Sequence, residues 1–135
     1  METLSVRTDE QMQMIDITAR VQTAVSATRI QSGVAHVFVP HTTAGVTINE
    51  NADPSVVHDI LADLARLVPR SQRYYQHDEG NSAAHALSSL IGCCQTLLVE
   101  QGRLVLGTWQ GLYFCEFDGP RHRHVYVTVT AGPGG

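Results

Sequence analysis

Charged side chains are scarce in this sequence. They make up 16% of its 135 residues, against about 25% in an average soluble domain. Because so few charges are present to cover a surface, we expect part of that surface to be buried in a homo-oligomer. The net charge is −4, and no run of Lys or Arg occurs. The composition therefore argues against a nucleic-acid partner.

Long apolar runs are also missing. No stretch approaches the ~20 apolar residues of a membrane span, so we expect no membrane association. The first six residues show no basic segment followed by an apolar one, so we expect no signal peptide. The cysteines Cys93, Cys94 and Cys115 form neither a CxxC motif nor an even-numbered framework. We interpret them as small buried hydrophobes, which predicts a reducing, cytoplasmic location.

The hydrophobic pattern predicts a single domain over residues 1–131, followed by a flexible tail over 132–135. Helices are expected over 18–30, from Asp53 to Pro69, and over 82–91. Strands are expected over 4–7, 12–18, 34–40, 46–48, 95–99, 104–117 and 124–130. This order lacks the regular alternation of a doubly wound sheet. It predicts an α+β fold dominated by antiparallel sheet, a β-sandwich with about three helices packed on it.

The first segment with candidate site residues begins at His41, directly after the strand expected over 34–40. An imidazole at the mouth of a strand is held firmly while its ring stays reachable, as a general base or a metal ligand requires. Thr42, Thr43 and Asn49 follow as candidate ligand-binding residues, although Thr and Asn also simply make turns. Glu50 has no such structural role, and we consider it a candidate catalytic acid or base.

The second segment contains His77 and His85, eight residues apart. If Asn81 caps the third helix, His85 lies in its first turn, near unpaired N–H groups and the positive end of the helix. That field disfavours imidazolium, so a neutral His85 would ligate a metal or donate to an anion. Asn81 itself is a candidate ligand-binding residue. The spacing of the histidines alone matches no recognised zinc motif.

The third segment surrounds the only tryptophan, Trp109. Glycines at 107 and 111 suggest close approach by a ligand or by another backbone, which makes Thr108 and Gln110 candidate ligand-binding residues. The alternative is that Trp109 anchors the core.

The fourth segment follows the turn at Asp118 and carries Arg121 and Arg123. Strand alternation would place both on one face, about 7 Å apart. Two guanidiniums side by side suit a phosphate or a carboxylate, so we predict an anion clamp. The alternative is a salt bridge with Glu116, one strand away.

Together these segments resemble the YjbQ-like family, whose members are described as secondary thiamine-phosphate synthases. The matching stretches are HTTAGVTINENADP (41–54), HDEGNSAAH (77–85) and LGTWQGLYFCEFDGPRHR (106–123), with the helix closed by Gly92. They stand in the order and spacing of the family and cover nearly the whole chain. One departure is the pair Cys93-Cys94, where small polar residues are more usual.

The resemblance implies a compact antiparallel sandwich that assembles as a trimer. It also implies that His41, His77 and His85 gather at a site for a divalent metal or an anion. The implied activity joins hydroxymethylpyrimidine diphosphate to a thiazole phosphate, giving thiamine phosphate and pyrophosphate, as a side activity beside another role. Zinc suits three imidazoles better than magnesium, which prefers oxygen ligands.

Two other functions stay open at the level of the sequence. One is a non-enzymatic protein that binds a metal or a small phosphorylated metabolite. The other is a metal-dependent hydrolase, with a metal-bound water as nucleophile and Glu50 as base.

Overall fold

The computed structural model describes residues 1–134 as two antiparallel sheets and three helices. The helices are α1 (Thr18–Ala27), α2 (Pro54–Leu67) and α3 (Ser82–Ile91). The strands are β1 (Glu2–Arg7), β2 (Gln13–Asp16), β3 (Ser32–Phe38), β4 (Ala44–Glu50), β5 (Cys94–Glu100), β6 (Arg103–Leu104), β7 (Gln110–Glu116) and β8 (His122–Ala131). In the predicted tail, the Gly132 N–H donates to the Ser32 carbonyl at 2.9 Å. The end of that tail, Gly135, lies outside the described residues.

One sheet has five strands in the order β1-β8-β3-β5-β6, and the other has three in the order β2-β7-β4. Every paired neighbour is antiparallel. This confirms the predicted α+β fold dominated by antiparallel sheet.

The three-stranded sheet is the middle layer of the molecule. Its inner face packs on the five-stranded sheet around residues such as Val37, Val46 and Phe114, and α1 closes this core with Val21 and Val25. Its outer face carries a second apolar cluster with α2 and α3. Since strands alternate their side chains between faces, burial of both faces explains why β7 is buried throughout from Gly111 to Glu116.

The segment expected as one strand over 104–117 is two strands in different sheets. The Gln110 N–H donates to the Gly107 carbonyl at 3.0 Å, and the Gln110 side chain accepts from the Gly107 N–H at 2.8 Å. These two bonds close a turn that carries the chain from the five-stranded to the three-stranded sheet. The prediction was wrong here because apolar alternation continues on both sides of the turn.

Local hydrogen bonds and backbone conformation determine where the helices begin and end. Asp53 caps α2 as predicted, since its side chain accepts from the Ser55 N–H at 2.9 Å. Helix α1 ends three residues before the predicted position 30, because the Thr28 hydroxyl bonds the Val25 carbonyl and Arg29 adopts φ = 61°. Among residues 1–134, no helix combines the length and the apolar character needed to cross a membrane.

Candidate functional site

A cleft of about 660 Å³ opens beside the loop that joins β3 to β4. Its walls come from that loop, from the segment before α3, from the first turn of α3 and from the segment that leads into β8. Eight of the residues singled out in the sequence line it: His41, Thr42, Thr43, His77, Asn81, His85, Arg121 and Arg123. Segments far apart in the chain therefore converge on one site.

Four other candidates lie at the opposite end of β4 and do not line this cleft. They are Asn49, Glu50, Thr108 and Gln110. Strand β4 begins beside Thr43 and ends at Glu50, which separates the two ends by about 20 Å at ~3.3 Å per residue. Within one chain, Glu50 is therefore too far away to act as the base or acid beside the histidines.

Local structure accounts for several of the residues at this far end. Trp109 is 63% exposed, so its proposed role as a core anchor is wrong. Gly111 leaves room for the Asn51 side chain, whose amide nitrogen lies 2.5 Å from where a Cβ would stand. The Glu50 carbonyl accepts from the Tyr113 hydroxyl at 3.0 Å. The glycines beside Trp109 thus accommodate the protein's own side chains.

The three histidines that line the cleft make two ring contacts. His77 and His85 lie edge to face with ring centroids 5.3 Å apart. His41 stacks on His124 instead, at 6.4 Å and an interplanar angle of 17°. Its Nε2 accepts a hydrogen bond from the His124 backbone N–H at 3.0 Å.

A metal bound by His41, His77 and His85 does not fit this arrangement well. A neutral imidazole has one lone pair, and the lone pair on Nε2 of His41 is already engaged by the His124 amide. Among residues 1–134, no group of three or more His, Cys, Asp or Glu side chains is placed to hold a metal ion.

Arg123 is held inside the protein by Glu116. The Arg123 Nε donates to Glu116 Oε1 at 2.8 Å, and its Nη2 donates to Glu116 Oε2. Nη2 also donates to the Thr43 hydroxyl at 2.8 Å. Both charged side chains are buried. The alternative partner named from the sequence is thus the observed one, and Arg123 does not lie beside Arg121 as half of a free anion clamp.

Asp118 organises the cationic rim of the cleft. It accepts from Arg70 at 2.8 Å and from Arg121 at 3.0 Å. It also accepts from the Asn81 amide at 2.8 Å. The Asn81 side chain therefore makes no capping bond to α3, which corrects its predicted role, although it does occupy the N-cap position.

These contacts hold the carboxyl groups in their charged form. Burial would raise the pKa of Glu116, but hydrogen bonds from Arg123, the Asp118 amide and Thr8 outweigh it and lower that pKa below its usual value. The pKa of Asp118 is likewise lowered, against burial, by its bonds to Arg70, Asn81 and Arg121. Three guanidiniums thus face two carboxylates in this network, and the Glu79 carboxylate also lines the cleft.

Sequence reasoning missed Glu79 and Cys93, which both line the cleft. The signal for Glu79 was its place between His77 and Asn81 in one polar segment. Cys93 and Cys94 were expected to be buried, but both are exposed, and only Cys115 is buried. Burial raises the pKa of the Cys115 thiol to about 12, so that thiol is inert.

The sandwich and its histidine-lined cleft define a class of protein with close solved relatives. A structure from Clostridium acetobutylicum, described as an uncharacterised conserved protein of the YjbQ/UPF0047 family, has a TM-score of 0.94 at 51% identity. That match covers 96% of this chain and all of the other. A conserved hypothetical protein from Thermus thermophilus gives a TM-score of 0.90 at 45% identity, covering 96% of this chain and all of the other.

Sequence comparison leads to the same family. The UPF0047 protein YugU of Bacillus subtilis is 51% identical over 96% of this chain and 98% of its own. A UPF0047 protein of Methanocaldococcus jannaschii is 50% identical over 92% and 89%, respectively. The family model described as UPF0047 protein YjbQ-like matches residues 2–132. The chain belongs to this YjbQ-like family.

Proposed function

We propose that the cleft binds a small phosphorylated metabolite and that the protein makes thiamine phosphate as a side activity beside another role. The observation that carries this proposal is the convergence of three histidines, Asn81 and two arginines on one cleft of about 660 Å³. Ligand sites of small molecules are typically clefts of this size with a few polar groups that converge. Thiamine-phosphate synthesis is the activity that the family resemblance implies.

The electrostatics of the cleft suit a phosphate group. The first turn of α3 places its free N–H groups and its positive end at the cleft beside Asn81 and His85. Arg121 is half-exposed and has donors to spare, since Asp118 engages its Nε and Nη2.

In the proposed reaction, a carbon–nitrogen bond forms between the pyrimidine methylene and the thiazole ring. The carbon–oxygen bond to the diphosphate breaks, and its electron pair leaves with pyrophosphate. Arg121 and the α3 N-terminus would neutralise the leaving charge, which lowers the barrier for such a step. No general base is needed at the thiazole nitrogen, which fits a cleft whose two buried carboxylates are engaged by arginines.

A non-enzymatic role as a phosphometabolite-binding protein is the second candidate. What favours it is that Glu116 and Asp118 are fully committed to holding arginines. A metal-dependent hydrolase has less support, since Glu50 lies at the far end of β4. Within a single chain, Glu79 lines the cleft and is the better candidate for the general base of such a hydrolase.

Turnover separates these functions. Purified protein is incubated with hydroxymethylpyrimidine diphosphate and thiazole phosphate, with and without chelator, and thiamine phosphate is quantified by chromatography. We expect product from the wild type, a loss of at least about tenfold in His85→Ala, and unchanged rates in Glu50→Gln. Binding of the diphosphate without product would favour the binding protein, and absence of both would contradict the proposal.

We also propose that the protein is a homo-oligomer, most simply a trimer, in a cytoplasmic location. Support comes from the low charge content and from apolar side chains exposed on the outer face of the five-stranded sheet, namely Phe38 and Leu98. The exposed free thiols of Cys93 and Cys94 suit a reducing compartment. Sedimentation as a monomer at micromolar concentration would contradict the oligomer.

A further inference from the structure

We infer that His41 binds the ligand as a neutral hydrogen-bond donor through Nδ1–H, and acts neither as a general base nor as a metal ligand. The inference rests on the proposed function, because the acceptor would be a phosphate oxygen in the cleft. It reverses the role that the sequence suggested for this histidine.

The argument begins with the bond between His41 and β8. A backbone N–H only donates, so the His124 amide, 3.0 Å from Nε2 of His41, requires a lone pair on that nitrogen. The amide belongs to β8, which pairs with β1 on one side and β3 on the other. The donor therefore cannot turn away, and a neutral His41 must carry its proton on Nδ1.

Packing holds the ring in this orientation. His41 stacks nearly parallel on the His124 ring, and it lies at the junction of β3 and β4 among cleft residues. Because Nε2 is directed at the strand, Nδ1 is the nitrogen left for a ligand. A ring that must rotate to expose Nε2 would lose both the hydrogen bond and the stacking.

The surroundings also keep His41 neutral. Burial lowers its pKa, Arg123 and the neighbouring His124 lower it further, and together they outweigh the opposing effects of the Glu116 carboxylate and the bond to the His124 backbone. Protonation at Nε2 would place an N–H against the N–H of the His124 amide, so the hydrogen bond would be lost. A general base or a metal ligand needs a free lone pair, and in this ring the lone pair is used.

The tautomer is directly measurable. Long-range ¹H–¹⁵N correlation spectra of the uniformly ¹⁵N-labelled protein distinguish the protonated from the unprotonated ring nitrogen. We expect His41 to show a protonated Nδ1 and an unprotonated Nε2, unchanged on addition of one equivalent of zinc. An Nε2–H tautomer, or loss of the Nδ1 proton on addition of zinc, would overturn the inference.

Two substitutions test the donor itself. In His41→Asn the amide nitrogen stands close to the position of Nδ1, whereas in His41→Gln it stands close to that of Nε2. Calorimetric titration with inorganic phosphate should show affinity within about threefold of wild type for His41→Asn and a loss of about tenfold or more for His41→Gln. The pair His77→Asn and His77→Gln is the control, since no such ring constraint applies there.

The outcomes separate this inference from the proposed function. Equal loss of phosphate affinity in His41→Asn and His41→Gln would overturn only the donor role. Wild-type protein that binds no phosphate would overturn both, because the acceptor would then be missing. Melting temperatures of the two variants check that each is folded.

Discussion

The two ends of β4 carry similar polar residues but differ in what the fold does with them. At the Thr43 end, side chains from four segments converge on a cleft, and Arg123, Glu116 and Asp118 are buried in a paired network. At the Glu50 end, Asn49, Thr108 and Gln110 are exposed, and the side chains of Asn49 and Gln110 accept hydrogen bonds from near neighbours.

The difference teaches that polar residue types in a motif do not by themselves identify a site. The two ends of β4 differ because only the Thr43 end brings together side chains from distant segments and contains buried charged pairs. Removing charged side chains from water costs free energy even when they are paired. A network of buried charged pairs beside a cleft is therefore better evidence of a functional site than a group of exposed polar residues.

The largest expected effect is on stability at the Thr43 end. Arg123→Met should lower the free energy of unfolding by about 3–5 kcal/mol, because it leaves Glu116 buried without its partner. Urea denaturation measures the loss. The matched variant Arg121→Met removes a half-exposed pair and should cost less than about 1 kcal/mol. A loss in Arg123→Met as small as that expected for Arg121→Met would show that Arg123 is not structural.

The next effect is on ligand binding. His85→Ala should weaken inorganic phosphate binding by about tenfold, since it removes a donor at the cleft. Glu50→Gln, at the other end of β4, should leave the affinity unchanged. Calorimetric titration of both variants with phosphate measures this difference, and an equal loss of affinity in Glu50→Gln would contradict it.

A smaller effect is expected in acid. The pKa of Asp118 is lowered in the folded state, so its contribution to stability is present above the unfolded pKa near 4 and is lost as pH falls through the folded value. Asp118→Asn should therefore show a flatter decline in melting temperature below about pH 4. If the melting temperature of Asp118→Asn declined in acid as steeply as that of the wild type, the pairing of Asp118 with the arginines would be contradicted.

The smallest effect is expected at Trp109. Because its side chain is 63% exposed, Trp109→Ala should change the free energy of unfolding by no more than about 0.5 kcal/mol in the monomer. Acrylamide should quench the tryptophan fluorescence readily in the native protein. A loss above 2 kcal/mol, or a protected tryptophan, would mean that this end is covered, for example by a second copy.

The sequence predicted most of the fold because its signals were local. The alternation of apolar residues predicted β3 and β8, and the Asp53-Pro54 pair predicted the start of α2. The break between β6 and β7 was missed, since Gly107 and Gln110 close that turn through contacts that no alternation pattern encodes.

The candidate site was predicted in part. The residues of the cleft were found because strand ends and helix starts concentrate accessible polar groups, as at His41 and His85. The partner of Arg123 was left open, because deciding between a ligand and Glu116 requires knowing how the two sheets face each other. The same holds for His41, whose hydrogen bond to the His124 amide spans 83 positions of the sequence.

One titration tests the central claim that the functional end of the molecule is the histidine cleft. Inorganic phosphate is added to the ¹⁵N-labelled protein, and the backbone amide shifts are followed by two-dimensional NMR. The account predicts saturable shifts at Thr42, Thr43 and the first turn of α3, with the amides of Asn49, Glu50 and Gln110 unmoved. Shifts centred on the Glu50 end, or no saturable shift in the cleft, would contradict it.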